Sequence, residues 1–230
     1  KNTIRTGLIY SNQHYNLYVR RLDWDSETIE TEIDQDGESN RMQAYFQWKY
    51  RITERFDINT GVHATYLALN DDYTVEPRFG MSYKLSPRTR ATFGLGLHSK
   101  TEPTSIYTAQ QILDDGTVTE PNLDLKMTKA FHIVGGYNWN FGENWLFKTE
   151  LYYQYLYDVP IMADDTTGTI TSLNFSSGFT NENFNNEGTG TNYGLEITLD
   201  KRFSNLYYFL FTTSLFQSKY TMPGFEQRNS

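Results

Sequence analysis

Strand-like runs in this chain are joined by connections that alternate between very short and very long. Tight turns are expected at 53–55, 86–88, 142–144 and 204–205. Between them lie acidic or Asn/Gly/Thr-rich stretches at 21–39, 100–124 and 158–190, and an intermediate link at 70–72 falls on the long-loop side of the order. A chain running up and down through a bilayer makes this pattern, with tight turns on one side and long loops on the other. The rhythm points to an all-β, antiparallel up-and-down transmembrane β-barrel, of which these 230 residues would supply part.

Nine strand candidates can be placed: 3–10 (extendable to 20), 40–52, 55–69, 73–85, 89–99, 126–141, 145–157, 191–203 and 206–219. Most exceed the ~5–6 residues usual in soluble sheets. Their length suits tilted membrane strands, in which ~9–11 residues cross the apolar core. Several alternate cleanly. Phe56, Ile58, Val62, Ala64, Tyr66 and Ala68 share one face, with Asp57, Asn59, Gly61, His63 and Thr65 opposite. Val75, Phe79, Met81, Tyr83 and Leu85 oppose Glu76, Arg78, Ser82 and Lys84. Tyr193, Leu195, Ile197, Leu199, Lys201 and Phe203 oppose Gly194, Glu196, Thr198, Asp200 and Arg202. Successive side chains of a strand point to opposite faces, so each strand has an apolar side and a polar side. In a barrel the apolar side meets lipid; in a soluble β-sandwich it would meet a second sheet. Alternation alone leaves both open.

Aromatics make up 16% of the chain, although its mean hydropathy is only −0.63. That combination fits an apolar exterior around a polar lumen. No stretch has the ~18–20 apolar residues of a membrane helix. Aromatics also gather near strand ends. Tyr50, Phe56, Trp139, Phe141, Trp145, Phe203, Tyr207 and Tyr208 lie by the short turns, and Tyr66, Tyr73, Tyr153, Tyr155 and Tyr157 towards the long loops. Two aromatic girdles are expected at those levels.

The net charge of −8 is segregated: 20 of the 28 acids fall in the long-loop spans, opposed there by Arg21 and Lys100 alone. Around the short turns the sign reverses, with Arg51, Arg55, Lys84, Arg88, Arg90, Lys201 and Arg202. This acidity argues against a nucleic-acid partner, which needs a basic footprint. There is no cysteine, hence no disulfide, thiolate metal site or Cys nucleophile. His14, His63, His98 and His132 show no metal-ligand spacing and are expected as lumen or surface residues. Asp34-Gln35-Asp36-Gly37 resembles the start of a calcium loop, but its twelfth position is Tyr45 rather than glutamate, so a turn is expected. No phosphate-binding loop or nucleophile elbow is present. No enzyme activity, metal or cofactor is expected. The segment 1–10 has no apolar signal-peptide core, and 227–230 is loop-like. The chain is therefore expected to be one piece, 1–230, of a barrel domain in a longer polypeptide.

Two stretches carry a family resemblance. Val75–Pro103 (VEPRFGMSYKLSPRTRATFGLGLHSKTEP) and Gly190–Phe203 (GTNYGLEITLDKRF) resemble barrel strands of TonB-dependent outer-membrane receptors, particularly those of Bacteroidetes-type bacteria. In such receptors Glu-Pro-Arg and Tyr-Gly-x-Glu are strand features rather than catalytic ones. The resemblance implies a 22-stranded barrel in the Gram-negative outer membrane, filled by an N-terminal plug that TonB moves. Neither the plug nor a TonB-contacting segment is visible in this sequence. The expected function is uptake of a nutrient such as a glycan, peptide or siderophore, in contact with outer-membrane lipid and TonB. A surface lipoprotein is a further partner some similar receptors have. The alternatives are a passive porin-like channel and a soluble glycan-binding sandwich. Ligand contacts are expected in the loops, at Asn183, Phe184 and Asn186 in an amide-rich stretch and at the exposed-aromatic candidates Trp24 and Tyr107.

Overall fold

The computed structural model describes residues 1–23, 27–113, 115–174, 182–204 and 206–230. Its strands are β1 (Asn2–Asp23), β2 (Thr28–Arg51), β3 (Phe56–Leu67), β4 (Asp72–Ser86), β5 (Thr89–Lys100), β6 (Gln111–Ile112), β7 (Val118–Thr119), β8 (Thr128–Phe141), β9 (Trp145–Met162), β10 (Phe184–Ser204), β11 (Tyr207–Thr221) and β12 (Arg228–Asn229). One helical turn, α1, spans Thr104–Tyr107. Ten strands form a single antiparallel sheet in the order β1-β2-β3-β4-β5-β8-β9-β10-β11-β12, every neighbour being next in the chain apart from the β6–β7 hairpin set in a loop. This is an up-and-down meander, and it is not closed on itself.

All nine expected strands form, but the long-loop ends were drawn too short. The segment 21–39, expected as an acidic loop, is largely hairpin: β1 and β2 pair from Asn2↔Tyr50 to Asp23↔Thr28, with one register shift at Val19/Arg20. Asp34–Gly37, expected as a turn, lies inside β2 opposite Tyr15–Tyr18. β-Branched Thr28, Ile29, Thr31 and Ile33 favour extended backbone, and acids on a strand cost little where they meet water. β9 and β10 likewise run further, to Met162 and from Phe184. The loop-like end at 227–230 contributes β12, which pairs Lys219 with Asn229.

The short turns are held by small polar side chains. Thr53 Oγ1 accepts from the N–H groups of Arg55 and Phe56 at 3.2 and 3.0 Å, and Ser86 Oγ accepts from that of Arg88 at 3.1 Å. In the β8–β9 turn Gly142 and Asn144 adopt positive φ, the left-handed conformation these two residue types accept most readily.

The register puts the alternating residues on two consistent faces. Ile58 lies opposite Tyr50 and Met81, Leu195 opposite Leu151 and Leu215, and the apolar row continues across the sheet. That face is bare: Leu8 is 87% exposed, Leu151 63% and Leu215 64%. No second sheet covers it among the described residues. A row of bare leucines is unfavourable in water and natural against lipid.

The aromatic girdle at the short-turn end forms a chain of rings. Trp139–Phe141, Phe141–Trp145 and Trp145–Phe209 centroids are 4.6, 5.9 and 6.3 Å apart, and Phe56–Tyr83 and Trp48–Tyr50 continue it. At the other end Tyr66 pairs with Tyr73, and Tyr155 stacks on Tyr157. Ten residues separate Phe56 from Tyr66. That is ~33 Å of strand, or about 25 Å of height at a barrel tilt of roughly 40°, matching a bilayer's apolar band.

The buried core lies outside that band. Leu67, Ile106, Tyr107, Leu125, Met127 and Phe184 form one cluster where the 101–127 loop packs on the long-loop ends of the strands. Ile161, Tyr220 and Met222 form a second.

Candidate functional site

The polar face carries a belt of side chains from β2 to β11. Gln43 Nε2 lies 3.4 Å from His63 Nε2. His63 Nδ1 is 3.3 Å from Glu76 Oε2, within ion-pair range but without a hydrogen bond. Arg78 Nη2 donates to the same carboxylate at 2.5 Å, and Ser99 donates to it through both its N–H and its hydroxyl. The His98 and His132 rings lie with centroids 4.4 Å apart. His132 Nδ1 is 3.4 Å from Gln154 Nε2, Asn192 donates to Gln154 at 3.2 Å, and Ser218 donates to Asn192 at 2.7 Å. Three of the four histidines, His63, His98 and His132, thus lie on the polar face. No cluster able to hold a metal ion occurs among the described residues. The belt offers fixed donors and acceptors to a polar ligand or protein surface crossing it. β11 departs from the pattern, presenting Tyr208, Leu210 and Phe216 on this same face.

Above the belt, the loops are tied down by buried amides and carboxylates. Asn122 is fully buried; its Nδ2 donates to Glu182 O and its Oδ1 accepts from the Phe184 N–H, both at 2.8 Å. Asn186 donates to the carbonyls of Lys126 and Asp158 at 3.1 and 2.8 Å and accepts from the Lys126 N–H at 2.8 Å. Asn70 donates to Leu125 O, and Asp72 accepts from the Met127 N–H, each at 2.7 Å. Glu102, itself buried, accepts from Thr128 at 2.7 Å and Ser172 at 3.5 Å. Close approach requires glycine at Gly188, where a Cβ would fall 2.5 Å from Ile161 Cγ2.

The expected ligand-contact residues divide accordingly. Tyr107 is 1% exposed, not an exposed aromatic: α1 turns it under the loop, where it packs in the cluster with Phe184. Burial pushes its phenol well above the usual range, partly offset by a hydrogen bond from the Glu102 N–H. Phe184 is 3% exposed, Asn186 is committed to backbone groups, and Asn183 is half-buried, its carbonyl accepting from the Ala163 N–H at 2.8 Å. Trp24 lies outside the described residues. The sequence does not join the belt residues into one site, because alternation gives a face, while only register gives a height.

Asp165 organises the following loop. Burial pushes its carboxyl up, but hydrogen bonds from Thr167, Thr169 and Ile170 outweigh this and hold it well below the usual carboxylate range.

The family described as TonB dependent receptor-like, beta-barrel, matches residues 2–229. This chain belongs to the TonB-dependent receptor β-barrel family. Solved structures agree on the fold. The chain is similar to the outer membrane transporter YddB of Escherichia coli (13% identity, TM-score 0.65, 95% of this chain and 31% of that one). It is also similar to the ferric-catecholate import receptor Fiu of E. coli (12%, TM-score 0.66, 96% and 35%). A third similar structure is the RagAB peptide importer (14%, TM-score 0.67, 96% and 28%). The chain thus spans about a third of the length of these receptors. No curated protein sequence matches it.

Proposed function

We propose that this chain is one wall of an outer-membrane nutrient receptor whose uptake is driven through TonB. The observation that carries the reading is the two-faced sheet of a TonB-dependent receptor barrel, bare and apolar on one side and hydrogen-bonded and polar on the other. The apolar face meets outer-membrane lipid, the polar face lines the lumen, and the capped loops face the cell exterior. Residues 1–230 form part of one barrel domain, completed by strands and a plug from outside these residues. Tyr107, Phe184 and Asn186 hold the loop framework on which ligand-contacting groups sit. The cargo is a nutrient of the siderophore or peptide class, like those named for the similar receptors, and a surface lipoprotein lid is compatible with the braced loops. The reading calls for no covalent chemistry.

The test compares nutrient depletion from medium by source cells with and without the parent gene, before and after a protonophore. Energised uptake predicts that gene-dependent depletion stops when the membrane is de-energised. Depletion that continues would make the barrel a passive channel. The parent protein should also appear in the detergent-extracted outer membrane at several times 26.9 kDa.

A further inference from the structure

Beneath α1 a cavity of about 140 Å³ opens between the 101–107 loop, the middle of β1 and β2 and the end of β3. Arg41, Ser11 and Leu67 stand at one level of the sheet there, Arg41 facing both others in the register, and Gln13 pairs with Ser39 one step further out. All five point to the polar face and line the cavity, with Tyr107 as part of its apolar wall. The volume is below the ~300–1,000 Å³ of a site that swallows a whole ligand. It suits one functional group of a larger molecule.

Arg41 is the unexplained member. Its Nε is buried without a hydrogen-bond partner, and its guanidinium makes no ion pair among the described residues. An unpaired buried N–H is unfavourable, and native structures rarely keep one without a reason. One carboxylate, Glu102, lines the same cavity. Its carboxylate, however, is engaged by Thr128 and Ser172. The loop spans around it are predominantly acidic. A guanidinium presents a planar fork of donors that matches a carboxylate, and the Ser11 and Ser39 hydroxyls and the Gln13 amide can complete its hydrogen bonding.

We infer that this cavity is a carboxylate-anchoring subsite, in which Arg41 grips the anionic end of a ligand whose short apolar neighbour rests on Leu67 and Tyr107. The inference rests on the receptor reading above and narrows it to cargo with an accessible carboxylate. A peptide C-terminus and a free organic acid share that chemistry.

The test uses the full-length protein in detergent, with acetyl-Ala-Ala, its C-terminal amide, propionate and inorganic phosphate as probes in saturation-transfer NMR. The acid should bind at least tenfold more tightly than the amide. Arg41→Gln should abolish that preference and Arg41→Lys keep part of it, each variant being checked for native folding by its heat-modifiable migration. Competition by propionate as effective as acetyl-Ala-Ala itself would assign the site to free organic acids, and weaker competition to peptide termini. Equal binding of acid and amide, a preference that survives Arg41→Gln, or no binding of either carboxylate probe overturns the subsite. Displacement of acetyl-Ala-Ala by phosphate at lower concentration than by propionate overturns the carboxylate assignment. Binding is read at equilibrium without TonB. A failed preference therefore leaves energised uptake standing, and passive flux leaves the subsite standing.

Discussion

The two ends of this sheet solve the problem of turning a chain around in different ways. At the short-turn end two to four residues reverse the strand, and the work is local. Thr53 and Ser86 hydroxyls satisfy the turn N–H groups, and Lys201 curls back to donate to Ser204 O at 3.0 Å and Tyr207 O at 3.4 Å. Its ammonium lies 3.8 Å from the Tyr207 ring centroid. No buried apolar cluster forms there among the described residues. At the long-loop end the connections are 20 residues or more in two cases, and they are held as a soluble domain would be, by a packed apolar cluster and buried amides bridging positions about 60 apart in sequence. A loop that must present a surface needs tertiary packing to hold it, because its own length gives it no other constraint.

That contrast can be broken at either end. The largest effect is expected from Tyr107→Ala, which empties the centre of the cluster at ~3–5 kcal/mol. The cost should fall on the loops rather than the sheet. Amide exchange at Leu125, Met127 and Phe184 should speed up by on the order of 100-fold or more, while exchange within β3 and β4 stays unchanged. Equal acceleration in both would mean that the cap and the sheet are one cooperative unit. Asn122→Ala comes next. It removes the hydrogen bonds to the Glu182 carbonyl and from the Phe184 N–H, at about 1–3 kcal/mol, and should make the loops protease-sensitive in folded protein. Lys201→Met tests the other end. Loss of its charged donor, on the order of 1.5 kcal/mol, should lower the urea midpoint of the sheet and leave loop proteolysis untouched. The smallest effect is a pH dependence. The Asp165 carboxyl is held below its unfolded value, so its contribution is fully present above about pH 4 and is lost as pH falls through the lower folded pKa. Exchange at Thr169 and Ile170, corrected for intrinsic rate, should be flat from pH 8 to about 4 and rise only in stronger acid. Asp165→Asn should abolish that rise.

Legibility in the sequence followed physical locality. The faces of β3, β4 and β10 could be assigned because a period of two is written into neighbouring residues. The turns at 53–55, 86–88 and 142–144 were visible because Ser, Thr, Gly and Asn carry their own turn chemistry. The hairpin over 21–39 was missed because acids suggest a loop, whereas paired backbone tolerates them wherever one face meets water. Tyr107 and Phe184, expected as ligand contacts, pack beneath the loops instead, because nothing local distinguishes a ring that meets ligand from one that packs under a loop. The belt from Gln43 to Ser218 and the cavity around Arg41 required register, which joins residues on strands up to 175 positions apart.

Taken alone, the sequence determined the architecture class, the lipid-facing and lumen-facing rows, and which end carries the acids. These follow from short-range patterning and from charge that must stay in water. Only the tertiary structure decided which polar residues meet across strands, that the long loops close over a buried core, and that Arg41 stands in a cavity without an ion-pair partner among the described residues. Each of these depends on contacts whose partners lie far apart in the chain, and no local preference encodes them.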